Sequence, residues 1–264
     1  MTFLTDIAAR QRAALQQFNV VQIGDVDEEQ ISLDLAYTHC AIDTYEDGSP
    51  PETVSDFDAW LTDVGIPAAR EYCEAYLGLS LAPRTLELSS NAFPAVAVSS
   101  PPGPAFVLPF GPVQSITSIT YMDEAAYTAA YDAEFLISGD VDLATAAGEA
   151  ALLQTVDPTT YQLGVYGAQP IVVLAYGESW PTSRNAAGSV KVRYVAGFNL
   201  STDSPLPYPL PKMAKVAMLL MLGHLFNNRE GVSGAVGGAL LHELPLGIQS
   251  LLSMIRGVER LGMA

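Results

Sequence analysis

The sequence predicts an α+β protein: a helical core, an antiparallel β segment inserted into it, and an extended amphipathic C-terminal tail. Three observations lead there. Apolar residues recur at helical spacing on both sides of the middle of the chain. The middle itself alternates apolar and polar residues, as half-buried strands do. The 21 glycines and 18 prolines in 264 residues promise many turns. A chain of this length can bury a real core as one large domain or two small ones, and helices, then sheet, then helices is an α+β order. The divisions that follow are a helical extension over 1–30, a helical part over 31–83, the β segment over 84–200 with an insertion at 139–157, an apolar helix over 201–230 and a glycine-hinged tail over 231–264.

In the extension, Phe3, Leu4, Ile7, Ala8, Leu15 and Phe18 have helical spacing, and a short strand, NVVQIG, follows. ISLDLAYTHCAID reads as a helix with Ser32 as N-cap and Leu33, Leu35, Ala36 and Cys40 as apolar positions. Beyond the acidic, proline-broken loop TYEDGSPPETVSD, Ser55 or Asp56 can cap FDAWLTDVGIPAAREYCEAYLG. There Phe57, Leu61, Val64, Ala68, Tyr72 and Leu79 would face one way, Pro67 marks a kink or break, and Gly78 suits the end.

From Arg84 the period shortens. RTLELSSNAF alternates, and AFVLPFGPVQSITSITYMD gives a short strand, a proline corner and a strand carrying Val113, Ile116, Ile119 and Tyr121. The alanine-rich GDVDLATAAGEAALLQTVD reads as a helical or loop insertion, and TTYQLGVYGAQPIVVLAYG restores strands. VKVRYVAGF alternates strictly, with Val190, Val192 and Tyr194 on one face and Lys191, Arg193 and Val195 on the other, as in an antiparallel strand with one wet face. A proline-rich link then enters MAKVAMLLMLGHLF, whose length is below the roughly 20 residues of a membrane span and which carries Lys215 and His224. It is a core or subunit-interface helix, with Met213, Val216, Leu220, His224, Phe226 and Arg229 as interface candidates, and no membrane partner is expected. GVSGAVGGAL, a flexible linker, leads to the amphipathic PLGIQSLLSMIRGVERLG.

Net charge is −17, from 29 acidic and 12 basic residues, and no Lys or Arg occurs between Thr85 and Ser183. Nucleic-acid binders need basic faces, so this middle third would repel DNA, which suits a surface past which DNA slides without being held. Arg10 and Arg12 interrupt the N-terminal apolar stretch, so no secretory signal is expected. Cys40 and Cys73 read as two buried thiols of a reducing compartment.

No catalytic, cofactor or metal set is expected. His39 and Cys40 are adjacent helical residues that do not share a face, and His224 and His242 read as core or interface histidines. The pairs Asp123–Glu124 and Asp140/Asp142 could ligate calcium, but neither sits in a loop of the EF-hand kind, and solvated turn carboxylates explain them as well. Trp180 before Pro181 could be a ligand platform, though an aromatic in that place more often locks a corner. Arg184, Lys191 and Arg193 form a local basic patch that could meet an acidic neighbour or DNA, or simply keep a strand face wet.

LDLAYTHCAID, AAREYCEAYLG with LAPRTLELS, LPFGPVQSITSITYMD, YGESWPTSRNAAGSVKVRYVAGF, PLPKMAKVAMLLMLGHLFNNRE and ELPLGIQSLLSMIR occur in this order. Together, over about residues 31–256, they resemble the head-to-tail connector, or adaptor, proteins of tailed double-stranded DNA phages and gene transfer agents. The first thirty residues and the stretch 139–157 depart from that pattern. The resemblance implies a non-enzymatic subunit of the virion neck, assembled in the host cytoplasm into a ring, commonly twelvefold, below the portal protein. Such a ring extends the DNA channel, passes DNA without sequence-specific binding, and offers a platform to a stopper or tail-terminator protein. It also implies that the tail reaches the portal, with Leu246, Ile248, Leu251, Leu252, Ile255 and Arg256 as candidate contacts, and that the hairpin bearing Trp180, Arg184, Lys191 and Arg193 presents loops to neighbours. Two other readings stand beside it: a tail or baseplate component whose β segment binds a partner, and a hydrolase using Asp123, Glu124 or Glu178 with His224.

Overall fold

The alternation in the middle of the chain becomes two antiparallel sheets. The computed structural model describes residues 19–26, 28–42, 55–94, 104–129, 152–166, 169–199, 208–228 and 246–260. Its strands are β1 (Asn19–Ile23), β2 (Arg84–Ser90), β3 (Phe106–Val107), β4 (Val113–Met122), β5 (Leu153–Thr155), β6 (Tyr161–Tyr166), β7 (Gln169–Leu174) and β8 (Val190–Ala196). The larger sheet runs β1-β2-β8-β4-β5 and the smaller β3-β7-β6.

The last strand of the larger sheet lies at its centre. β8 pairs with β2 from Arg84↔Ala196 to Ser90↔Val190, and with β4 from Val113↔Ala196 to Tyr121↔Val190. On β8 the inward residues Val190, Val192, Tyr194 and Ala196 are fully buried. Their partners on β4 are Tyr121, Ile119, Ile116 and Val113, a spacing of two, three and three residues. Two register shifts account for it, between Val113 and Ser115 and between Ile116 and Ser118: each bulge adds a residue, so the apolar side chains keep one face although they are not two apart. Phe93, Phe106, Leu108 and Val172 join this core. The end of the stretch read as an insertion is a strand, β5, on the edge beside β4; residues 139–151 lie outside the described residues. At the other edge β1, the short strand expected at NVVQIG, pairs with β2 along its whole length, so this part of the 1–30 extension belongs to the sheet.

Contacts divide the chain into two units. The sheet unit holds residues 1–25, 84–108 and 113–196; the helical unit holds 26–83, 109–112 and 197–264. The helical unit contains α1 (Leu33–Cys40), α2 (Ser55–Trp60), a π turn (Leu61–Gly65), α3 (Ile66–Leu77), α4 (Lys212–Asn227) and α5 (Leu246–Arg260). Ser32 caps α1, its hydroxyl accepting from the Leu35 N–H at 3.4 Å. α3 ends at Gly78, whose φ of 73° needs no Cβ and whose N–H donates to the Glu74 carbonyl at 2.7 Å.

The kink expected at Pro67 lies one turn earlier. Pro67 stands in the first turn of α3, where its missing N–H costs little, and the irregularity is the π turn. Its extra residue rotates the face that follows. Leu61, Ile66, Ala69, Cys73 and Leu77 are buried, whereas Val64, expected on the same face as Leu61, is 50% exposed. Gly65 makes the turn fit: a Cβ there would lie 2.8 Å from Trp60 Cζ3 and 3.0 Å from Leu222 Cδ1. Ala214, Ala217, Met218, Met221 and Leu222 of α4 and Ile248, Leu252 and Ile255 of α5 complete the core.

A buried arginine ties the ends of this unit to its helices. Arg70, 5% exposed, donates from Nε to both oxygens of Glu29 at 3.0 Å and from Nη1 to Glu74 at 2.9 Å. The other Glu74 oxygen accepts from the Leu81 N–H at 2.7 Å. The Gln30 side-chain amide donates to the carbonyls of Leu81 at 2.8 Å and Phe198 at 3.1 Å. Burial pulls the guanidinium pKa down, but the carboxylates of Glu74 and Glu29 outweigh it and the net direction is up. Replacing Arg70 with Ala leaves the buried Glu74 carboxylate and the partly buried Glu29 carboxylate without their cation, and should lower stability by about 3 kcal/mol in denaturant melts.

Cys73 is buried and Cys40 half-buried, and the two form no disulfide. Burial, with a smaller contribution from Glu74, pushes the Cys73 pKa from 9.0 up to about 12. The folded thiol therefore holds its proton more tightly than the unfolded one. Its contribution to stability is complete below pH 9 and is lost as pH rises toward 12. The melting temperature should decline above pH 9, and Cys73 should resist alkylation until the protein is unfolded, while Cys40 reacts first.

Candidate interaction surfaces

The wet face of the larger sheet is built around one carboxylate. Glu87 on β2 is directly opposite Arg193 on β8, with Lys191 two residues along. Arg193 Nη2 lies 2.8 Å from Glu87 Oε2, and Lys191 Nζ 3.9 Å from Oε1. β4 sets Ser118 beside Arg193 and Thr120 beside Lys191. The basic patch read from β8 is thus partly neutralised by its own sheet, from a residue 106 positions away. Arg184 is also engaged: its guanidinium carbon sits 3.6 Å from the centroid of Tyr127, its Nη1 lies 3.8 Å from the Met122 thioether sulfur, and its backbone N–H donates to the Met122 carbonyl at 2.9 Å.

Trp180 locks a corner. It stacks on Phe93 at 4.9 Å with 12° between planes, meets Phe106 edge-on at 5.7 Å, and donates its indole N–H to the Pro104 carbonyl at 3.3 Å. Pro94, Glu178, Ser179 and Pro181 extend the surroundings into an open groove of about 480 Å³. Both the ring face against Phe93 and the N–H are occupied from within the sheet unit, so the indole acts first as a wedge for the turn between β7 and β8. Tyr176, in the same connection between β7 and β8, is fully exposed, and Val165, near the β6–β7 turn, is 62% exposed.

On α4 the expected interface residues separate into two groups. Phe226 packs against Phe57 at 5.8 Å and Trp60 at 5.9 Å, and Met213 lies against the core, so both serve the fold. Val216 and Leu220 are 46% and 40% exposed. His224 is half-buried, with the Asn228 amide 3.3 Å from its Nδ1. Arg229 lies outside the described residues.

α5 is a helix packed on its own unit rather than an extended tail. Ile248, Leu252 and Ile255 are buried among α3 and α4, and Leu251 is partly buried there. The amphipathic pattern read in the sequence is real, and its apolar side is covered by this chain. Met254 faces out, 59% exposed. Leu246 opens the helix and Arg256 lies in its last turns.

The residues weighed for catalysis fall in both units. Asp123 accepts from the Ala126 N–H at 2.8 Å and caps the short helix at 124–129. Glu124 and Glu178 are exposed in the sheet unit, and His224 belongs to the helical unit. His39 packs beside Gly223, where a Cβ would lie 3.1 Å from its Nε2. His242, Asp140 and Asp142 lie outside the described residues. Among the described residues no group of three or more His, Cys, Asp or Glu is placed to hold a metal ion, and no helix is long and apolar enough to cross a membrane.

Sequence reasoning passed over the Arg70 cluster, although an Arg and a Glu four apart with Arg70 in an apolar register was a usable signal. It also passed over Lys212 as a partner to Val216 and Leu220 four and eight residues on.

The fold is that of subunits found in the necks of gene transfer agent particles. A chain from the neck of an empty particle, computed with C6 symmetry, superposes with a TM-score of 0.58 at 16% identity, covering 89% of this chain and 94% of that one. A chain from the virion of a native particle gives 0.54 at 19% identity, and one from the native neck computed with C12 symmetry gives 0.50 at 19%, each covering 89% of this chain and 93% of the other. No family model and no curated protein matches the chain.

Placing a charge at Leu252 should destabilise the helical unit by more than about 3 kcal/mol, because an aspartate there loses both its solvation and the leucine's packing. Met254→Asp, on the open side of the same helix, should change the midpoint of a urea melt by less than about 0.5 kcal/mol equivalent.

Proposed function

We propose that the chain is a head-to-tail connector: a subunit of a ring, twelvefold in our reading, that sits below the portal in the neck of a tailed phage or gene transfer agent particle. It extends the DNA channel and gives a stopper or tail-terminator protein its docking surface. The observation that carries the reading is the shared fold with chains from two gene transfer agent necks, over 89% of this chain and 93–94% of theirs, which agrees with the ordered motifs. A net charge of −17 supports a surface that DNA passes without being held. The role is structural: rigid sheets and a helical unit that arrange surfaces, with no step of chemistry.

The reading does not need α5 to leave its unit. Releasing it would expose Ile248, Leu252 and Ile255, at about 1.5–3 kcal/mol each, or roughly 5–9 kcal/mol that portal contacts would have to return. We place any portal contact of α5 on the side that bears Met254.

Purified chain mixed with portal rings or tailless heads, imaged at the vertex, tests the proposal. The expected result is a closed ring of added density below the portal, with the copy number read directly. Folded chain and intact portal with no added density would leave only a shared fold, and would favour a component further along the tail.

A further inference from the structure

α4 carries a ridge that its neighbours leave uncovered. Lys212, Val216 and Leu220 follow at intervals of four on the side away from the core residues Met218 and Leu222. Val216 and Leu220 are large, apolar and 40–46% exposed. Among the residues whose side chains are described, Lys212 and Lys215 are also the lysines or arginines without a carboxylate, amide, thioether or ring partner. Arg70, Lys191 and Arg193 have their glutamates, Arg184 its Tyr127, and Arg84 the Gln22 side chain. The two lysines stand at the start of a helix whose N-cap, Pro211, offers no side-chain acceptor and whose first turn holds no acid. Positive charge is unfavourable there because the helix dipole is already positive at that end. In an isolated chain this arrangement is a cost, although the chain has 29 acidic residues to draw on.

A complementary patch lies on the other side of the same helices. The inner side of the π turn is Leu61 and Gly65, both buried, and a Cβ on Gly65 would lie 3.0 Å from Leu222 of α4. Its outer side is Thr62, Asp63 and Val64, all exposed. Val64 is again a large apolar residue left half in solvent, and Asp63 next to it has no ion pair among the described residues. Glu71, two turns on, is 69% exposed and touches Arg70 only at 3.8 Å. Since Leu222 and Gly65 mark the sides that face each other, the ridge and the patch point away from one another. Each sets apolar side chains beside charge, and the charges are opposite.

We propose that these are the two halves of one head-to-tail contact between copies of this chain, the α4 ridge of one copy seated on the π turn and α3 of the next. The inference rests on the ring reading above and names the surfaces that close the ring. A contact between two different patches can repeat around a ring, whereas ridge against ridge would bring four lysines together. A nucleic acid would satisfy the lysines but has no use for Val216 and Leu220. A neighbouring acidic copy satisfies both, and the charges fix partner and register.

The test is a charge swap scored by imaging closed rings on portal, beside native chain in the same experiment. Lys212→Glu with Lys215→Glu, and separately Asp63→Lys with Glu71→Lys, should each reduce closed rings by more than about tenfold, since the loss recurs at every contact. Both variants should stay folded, and the first should melt no lower than the native chain because its glutamates suit the helix start. The variant carrying all four changes should recover rings. Native rings with either variant still closing normally would overturn the proposal. So would loss in both variants without recovery in the four-fold swap, a result that would assign the ridge to portal or DNA instead. Failure of the native chain to form rings would strike at the ring reading itself, and is visible in its own arm of the experiment.

Discussion

The sheet unit depends on the placement of β8 between β2 and β4. That one strand supplies Val190, Val192, Tyr194 and Ala196 to the core, each fully buried. On its other face Arg193 and Lys191 converge on Glu87. A slip of one residue would exchange the two faces, placing two cations in the core and the valines in water. The strict alternation of β8 therefore sets the register of its neighbours. β4 follows it only by taking up two bulges, which is why its apolar residues are three apart where a regular strand would have two.

The helical unit is held by a different balance. Its interior is assembled from small residues at crossings, Gly65 and Ala217 among them, and from a buried ionic cluster at Arg70 that reaches backward to Glu29 and forward, through Glu74, to Leu81. Buried charge of this kind contributes little net stability when complete, yet it is costly to break, and it selects one arrangement of chain segments over others. For a subunit whose role is to hold surfaces at fixed relation to its neighbours, a specified arrangement matters more than a large margin of stability. The charge left over is unevenly placed: of the 29 acidic residues more fall in the helical unit than in the sheet unit, and at one end of α4 stand two lysines with no partner among the described residues.

Much of the architecture was legible because its determinants are local. Ser32 and Gly78 mark helix ends by their own backbone and side-chain chemistry, and the alternation of Val190 to Ala196 needs no partner to be read. The spacing of Val113, Ile116, Ile119 and Tyr121 also named the right side chains, although the bulges that explain it were hidden. What stayed out of view depended on distant residues. A π turn before Pro67 looks, in sequence, like a simple kink, and only the packing of Gly65 against Leu222 distinguishes them. Arg70 and Glu74 look like a surface pair until Glu29 is seen to close over them. The basic face of β8 could not be known to be half neutralised, since Glu87 lies 106 residues earlier. An amphipathic pattern announces that α5 will hide one side, and leaves unstated that α3 and α4 do the hiding.

The chain passes between its two units five times, at 25/26, 83/84, 108/109, 112/113 and 196/197. Neither unit is a continuous piece of sequence, and the four residues 109–112 are lent to the helical unit from the middle of the sheet region. This constrains inheritance as much as folding. A single crossover between two related genes, anywhere from residue 26 to residue 196, must join parts of one unit that have not been selected together. Exchange that respects the packing has to take the gene nearly whole, so divergent copies of such a subunit should travel as one block and drift by point substitution.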